Sequence, residues 1–507
     1  MEDIKIEKRK EKILRWLKDP YNLTFLLVLV STIAIRLYYF VSTYGQPLWW
    51  DESEYVSTAK KWAFGSPYDI SIQRQPLFPI LMTGLFKLGF NLDFIKLFLV
   101  LVPYFLTIIA LYYFAKTLYD KKIALIATFL FAVSWNISFW TYRFSTDILG
   151  LLFAVLCLLF FVKAEKVDYK RSLIFYALSG AFLSLGILTR LPNVFLIAMI
   201  GPYILIKAKD FILSKKIIYF LIPVILLMLP YLYYNFSVSG DPFTFFQTYF
   251  GGDVAGEKLS KPVAWGVFSL IPLYFGWMPY LLVFFLGLLT FYTVLIGFDL
   301  IPKKDNLRYD VLILLIFIAP FLILAFGERR YEERWAYLAL PAITIIFARG
   351  IVLIENFFKK YIKGRIILYL IIIFLLFGAY ANIKMLDSTL ISKKDSFSQL
   401  RDAGIYLKNI APADSLIFSN SHPQISAYSE RLTLPMPMTE EDYYNNLSDG
   451  EVDYVVASIF ENNFREINIW TDNFVKNNTN SVEIVQVFSG LINNQEAPMV
   501  VVYKINH

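Results

Sequence analysis

The chain has 507 residues, 57% of them hydrophobic and 18% aromatic, with only 18% charged and a mean hydropathy of +0.54. A soluble enzyme of ordinary composition carries about a quarter of its residues as charges and rarely holds apolar runs of about 18 residues, so that class is excluded. The net charge of +7 divides unevenly: residues 1–385 carry 40 Lys and Arg against 25 Asp and Glu, whereas residues 386–507 carry 8 against 16. Basicity therefore belongs to the membrane part, where Lys and Arg in short loops set orientation, and nucleic acid is not implied as a partner.

In chain order, the basic and amphipathic stretch MEDIKIEKRKEKILRWLK leads into an apolar run from Leu23 that contains Arg36 and lacks a small-residue cleavage site. An uncleaved first span is predicted. Further apolar runs lie near 94–115, 123–141, 148–163, 172–189, 191–206, 217–235, 278–298, 311–326, 337–354 and 366–384, which makes eleven spans. With the N-terminus in the cytoplasm, every cytoplasmic loop is basic, as at Lys121 and Lys122, Lys163 and Lys166, Lys303 and Lys304, or Lys359 and Arg365. An integral, multi-pass protein of the plasma membrane is expected, with the tail after Met385 outside. Two long outer segments, about 44–93 and 237–277, concentrate polar, non-helical sequence on one face.

The tail alternates helical patterns (SQLRDAGIYLKNI, EEDYYNNL) with β-branched runs (SLIFSN, VDYVVASIF, SVEIVQVF, PMVVVYKI). The predicted fold class is thus an α-helical polytopic membrane domain, residues 1–385, followed by a small extracytoplasmic α/β domain, residues 386–507. Sequons at Asn446 and Asn477 agree with an outside tail. Cys157 is the single cysteine and lies in an apolar run, so it reads as a packing residue. His422 and His507 are the only histidines, which leaves almost no material for a His-ligated metal or a Ser-His-Asp triad. His422 reads as a polar surface residue.

Several polar residues stand where a membrane would not choose them. In the first outer segment, WWDESEYVSTAKKW places Asp51 and Glu52 at the start of a helix predicted over Glu52–Phe64, with Tyr55, Ala59 and Trp62 along one side. Asp51 can cap that helix or serve chemistry. Asp147, in WTYRFSTDILGLLF, stands at the outer turn before the fourth span; it can pair with Arg143 at i, i+4 or mark a functional site. Arginines also gather on the outer face against the lysine bias: Arg36, Arg74, Arg143, Arg190, Arg329, Arg330 and Arg334. Such a cluster suits a lipid phosphate, because guanidinium forks bind phosphate bidentately; snorkelling and pairing with Glu328, Glu332 and Glu333 is the other reading.

Together these segments resemble the GT-C superfamily of membrane glycosyltransferases, in the branch with protein O-mannosyltransferases and lipid A aminoarabinose transferases. WWDESEYVSTAKKW is similar to that family's first outer loop, QRQPLFPILM to its basic-Pro-Pro-Leu stretch with Gln75 where a basic residue is usual, RFSTDILGLLF to its acidic start of the fourth span, and ERWAYLALPAI to its Arg-aromatic-x5-Pro pattern. The resemblance covers about residues 1–385 and implies a hexosyl- or pentosyltransferase. Its donor is a polyprenyl or dolichyl phosphate sugar within membrane lipid, and its acceptor a hydroxyl on protein, glycan or lipid, with inversion.

On that resemblance Asp51 is the expected base, with Asp147 orienting it or the sugar, and Glu52 beside them. Arg334, Arg74 and Arg190 are expected at the phosphate, with Arg143, Gln75 and Tyr55 also at the substrate. The arginines neutralise the phosphate, so no cofactor is required; the carboxylates leave room for Mg²⁺ or Mn²⁺. A flippase for lipid-linked sugar or an inactive lipid-sugar-binding scaffold are the competing readings.

Overall fold

The computed structural model describes residues 11, 14, 16–68, 70, 74–207, 209–251, 261–291, 305–327, 332–477, 482–492 and 495–506. The basic stretch up to residue 10, residues 252–260, Lys303, Lys304, the end of the 278–298 run, Glu328, Arg329, Arg330, the rest of the Asn477 sequon and His507 lie outside the described residues. Contacts divide the chain into two compact units, residues 1–42 with 97–390 and residues 43–96 with 391–507.

The first unit is helical. The described part of each of the eleven apolar runs falls mainly on helix, and eight described helices are long and apolar enough to cross a membrane, or nine if one bent pair counts as a span. The chain is therefore an integral, multi-pass membrane protein. The 123–141 run is divided into Lys121–Val133 and Trp135–Trp140, because Ser134 is extended and the Trp135 N–H donates to Asn382 Oδ1 at 3.2 Å. Near 278 the helices Trp265–Phe275 and Met278–Leu289 bend by 115°.

Gly276 makes that bend, with φ +65. A Cβ there would lie 2.5 Å from Asn382 Oδ1 and 2.6 Å from Trp135 Cδ1, so only glycine fits. Asn382 completes the clasp by donating to the Phe275 carbonyl at 3.0 Å, and the Ser134 hydroxyl donates to the Tyr274 carbonyl at 2.9 Å. Cys157 is fully buried beside Ser179 in the packing of Thr146–Ala164 on Tyr169–Thr189.

The second unit holds a five-stranded sheet of strands β1 (Leu416–Ser419), β2 (Leu432–Pro435), β3 (Tyr454–Ser458), β4 (Val482–Ile492) and β5 (Gln495–Ile505) in the order β2-β1-β3-β5-β4. The β1 pairings with β2 and β3 are parallel; β5 pairs antiparallel with β3 and β4. Alternation sends Val455, Val501 and Tyr503 to one face, where Tyr443, Leu447, Ile467 and Phe474 of the Glu440–Ser448 and Phe464–Asn477 helices cover them. Tyr454, Val456 and Val502 go to the other, against Leu400, Leu407 and Ile425 of the Ser398–Ile410 and His422–Ser429 helices. This is a three-layer α/β/α arrangement. The Trp50–Phe64 and Leu77–Lys87 helices belong to the same unit and pack on each other.

Candidate active site

In the first unit, three charged residues come together because each sits at a break in a span. Asp147 lies in the first turn of Thr146–Ala164, whose N-cap Ser145 accepts from the Asp147 N–H at 3.1 Å and donates its hydroxyl to the Asp147 carboxylate. Arg190 is the extended residue, φ −154 and ψ 120, between Tyr169–Thr189 and the short 3₁₀ turn Leu191–Val194. Arg334 lies in the 3₁₀ helix Glu333–Ala339 that opens the next long helix.

Arg190 Nη1 pairs directly with Asp147 Oδ1, and Arg334 Nη1 approaches Oδ2 at 3.9 Å. The acid is 1% exposed, whereas the arginines keep 14% and 17% exposure, so the carboxylate is sealed and the cations face outward. An ionised carboxylate at hydrocarbon depth costs several kcal/mol unless paired, and Arg190 supplies that pairing.

Aromatic and small residues fix the guanidinium groups. Arg334 Cζ lies 4.8 Å from the Trp140 ring centroid, and Arg334 Nε donates to Glu332 Oε2 at 2.5 Å. The Tyr337 hydroxyl bonds Asn136 Oδ1, and the Tyr274 hydroxyl donates to the Glu333 carbonyl at 2.7 Å. Gly150, three residues after Asp147, lets Arg190 approach: a Cβ there would lie 2.8 Å from Asn193 Nδ2 and 3.3 Å from Arg190 Cβ. Arg143 is 1% exposed in the turn before Ser145. Asn136, Trp140, Asn193 and Tyr337 were not singled out in the sequence. Asn136 and Asn193 carried a signal, as amides in apolar runs.

The second unit holds the other acids. Trp50–Phe64 starts two residues before the predicted Glu52, with Trp49 as N-cap, and the Glu52 carboxylate accepts from the Trp49 N–H at 2.7 Å. Glu52, 5% exposed, thus closes the capping box, and Asp51 does not cap. Asp51 instead accepts from Arg74 Nη2 at 2.7 Å, while Arg74 Nε bonds Glu54. Arg74 also lies 5.6 Å over Tyr55. Asp51 and Arg74 are both 28% exposed and Glu54 13%. Burial pushes the Glu54 carboxyl above its ordinary value, against the pull of Arg74, and neighbouring Asp51 adds to the rise.

Gln75 is 7% exposed and its Nε2 has no hydrogen-bond partner among the described residues. Glu54 was missed in the sequence although it lies three residues after Asp51 on the same helix face. His422 is half-buried, edge-on to Trp50 with centroids 5.1 Å apart, rather than a plain surface residue. Among the described residues no three His, Cys, Asp or Glu side chains come together to hold a metal.

Residues 73–234 match the family described as dolichyl-phosphate-mannose-protein mannosyltransferase. In structure the chain is similar to ArnT from Cupriavidus metallidurans bound to undecaprenyl phosphate, at 11% identity and a TM-score of 0.65, with 94% of this chain and 97% of that one covered. It is also similar to the archaeal oligosaccharyltransferase AglB from Archaeoglobus fulgidus in complex with an inhibitory peptide and a dolichol-phosphate, at 13% identity and 0.61, covering 95% and 74%. No curated protein matches the sequence. The class this defines is the GT-C membrane glycosyltransferase fold. Within it, the segment matched to the mannosyltransferase family runs from residue 73 past Asp147 and Arg190 into the Lys216–Ser239 helix.

Proposed function

We propose that the chain transfers a hexosyl or pentosyl group from a polyprenyl or dolichyl phosphate to a hydroxyl acceptor on protein, glycan or lipid, outside the cytoplasm and with inversion. The observation that carries this reading is the Asp147 cluster, in which two partly exposed guanidinium groups are aimed by one sealed carboxylate. That is the arrangement a departing phosphate monoester anion needs, because preorganised cations stabilise charge as it develops. The basic loops support an orientation with the N-terminus in the cytoplasm and the tail outside.

In this scheme Asp51 takes the proton of the acceptor hydroxyl as its oxygen bonds the anomeric carbon. The bond from that carbon to the phosphate oxygen breaks on the opposite side, and the lipid phosphate leaves with the electron pair. Arg190 and Arg334 hold the phosphate, and Asp147 orients them. Arg74, shared by Asp51 and Glu54, holds the Asp51 carboxylate in position. The scheme itself requires no Mg²⁺ or Mn²⁺, because Arg190 and Arg334 can neutralise the departing phosphate.

Purified protein in lipid, given a panel of labelled polyprenyl phosphate sugars, is expected to transfer or slowly hydrolyse one of them. Asp51→Asn should lower the rate about 10²–10⁴-fold with donor binding retained. Saturable donor binding with no turnover in either form would instead favour a scaffold or flippase, and loss of turnover with a chelator would restore the metal.

A further inference from the structure

A groove of about 850 Å³ opens in the first unit between Pro20–Ser42, Lys121–Val133, Leu340–Phe358 and Gly364–Lys393. Its walls are apolar, with Val28, Ile126, Phe129, Leu368, Ile372 and Leu375 among them. A smaller cavity of about 270 Å³ continues it along the same helices and shares Thr24, Val28, Phe129 and Leu376. Neither is lined by Asp147, Arg190 or Arg334. The mouth lies at the other end of the bundle from Asp147, since the helices from Lys121 to Trp140 carry the chain from one end to the other.

The charge lining this larger cavity is at that mouth, while the buried Arg36 lines the smaller one. Lys122, Lys359 and Arg365 surround the single carboxylate of Glu355, which leaves a net +2. Glu355 is 6% exposed and pairs with both Lys122 and, at 2.7 Å, Lys359. The neighbouring Asp19 and Lys121 pair with each other and add no net charge. Lys359 is 46% exposed and Arg365 is exposed. The Pro20–Ser42 and Gly364–Lys393 helices have only 28% of their apolar windows buried, so their outer faces meet lipid. A larger cavity with an apolar shaft and a cationic mouth, in the loops with the positive-inside pattern, has the charge pattern of a phospholipid with a negative headgroup.

We propose that this groove binds an anionic phospholipid of the cytoplasmic leaflet, its phosphate at Lys359 and Arg365 and an acyl chain along the Pro20–Ser42 helix. The Lys122–Glu355–Lys359 trio fixes one cation in place, and Arg365 supplies a bidentate fork for the phosphate. The inference goes beyond the transferase reading and is independent of it, because its readout is lipid retention rather than turnover.

The test uses the full chain in nanodiscs of equal phosphatidylglycerol and phosphatidylcholine, released and weighed by native mass spectrometry. The wild type is expected to retain phosphatidylglycerol in preference by at least about fivefold, the worth of one juxtamembrane cation. Lys359→Gln with Arg365→Gln, two exposed positions, should bring retention near parity, and Ile372→Trp, which fills the groove, should lower retention of both lipids. No preference in the wild type, or an unchanged preference in the double variant, overturns the proposal. So does displacement of the phosphatidylglycerol by an equal amount of undecaprenyl phosphate, or a dimeric mass with no lipid retained.

Discussion

The two units each contain an acid–arginine cluster, and the clusters are built in opposite ways. In the first, one sealed carboxylate, Asp147, serves two partly exposed arginines, Arg190 and Arg334. In the second, one arginine, Arg74, is divided between two carboxylates, Asp51 and Glu54. The first gathers two arginines about one sealed carboxylate, with the half-exposed Glu332 also bonded to Arg334. The second leaves anion in excess. Residue type alone does not separate the two: Arg74, expected with the phosphate groups, is bonded to Asp51 and Glu54, whereas Arg190 and Arg334 share a single carboxylate.

The strongest way to break the comparison is to remove the acid that the two arginines share. Asp147→Ala removes the carboxylate that both partly exposed arginines share and should lower the unfolding midpoint in detergent, with donor transfer lost. An unchanged midpoint would mean that water already satisfies the arginines. A finer perturbation is Gly150→Ala, whose Cβ meets Asn193 Nδ2 at 2.8 Å and Arg190 Cβ at 3.3 Å. Overpacking of this kind costs about 1–3 kcal/mol, and it should raise KM for the donor by moving Arg190 while Asp147 remains. If KM stays constant, Arg190 does not touch the donor.

The smallest effect lies in the second unit, where Glu430 accepts from Lys60 and Lys408 at 2.8 and 2.7 Å. Burial raises this carboxyl, but the two lysine hydrogen bonds outweigh it and hold the group below its ordinary value. A depressed folded-state pKa stabilises above the unfolded value, and that gain is lost as pH falls through the lowered one. At 28% exposure the contribution is about 1 kcal/mol or less. Glu430→Gln should therefore lower the unfolding midpoint slightly at neutral pH and converge with the wild type in acid. A gap that persists below the carboxylate range would assign the effect to packing instead.

Much of this was legible in the chain itself. The described parts of the eleven apolar runs fall mainly on helix, because hydrocarbon forces backbone groups to bond within a segment. In the tail, the patterns at 398–410 and 440–447 and the four β-branched runs mark real elements. The helices His422–Ser429 and Phe464–Asn477 and the strand Leu432–Pro435 were missed: the first and last are short, and Pro435 ends the strand pattern. The motifs at 49–62, 143–153 and 333–343 also identified the GT-C fold.

Charge sharing was not legible. Sequence spacing offered Asp147 a partner four residues away in Arg143, yet the structure pairs it with Arg190, 43 positions on, and brings Arg334 close as well. Likewise a helix from Glu52 was readable, two residues short of its true start, but its carboxylate duties were not: Glu52 caps, while Asp51 meets an arginine 23 residues later. The sequence by itself determined the lipid-soluble class, the spans, the basic loops and the elements of the tail, since those follow from local hydropathy and periodicity. Only the tertiary structure decided which acid belongs to which base, because a buried charge takes the nearest opposite charge in space, and that distance is set by helix breaks at residues 134, 190 and 276 rather than by position along the chain.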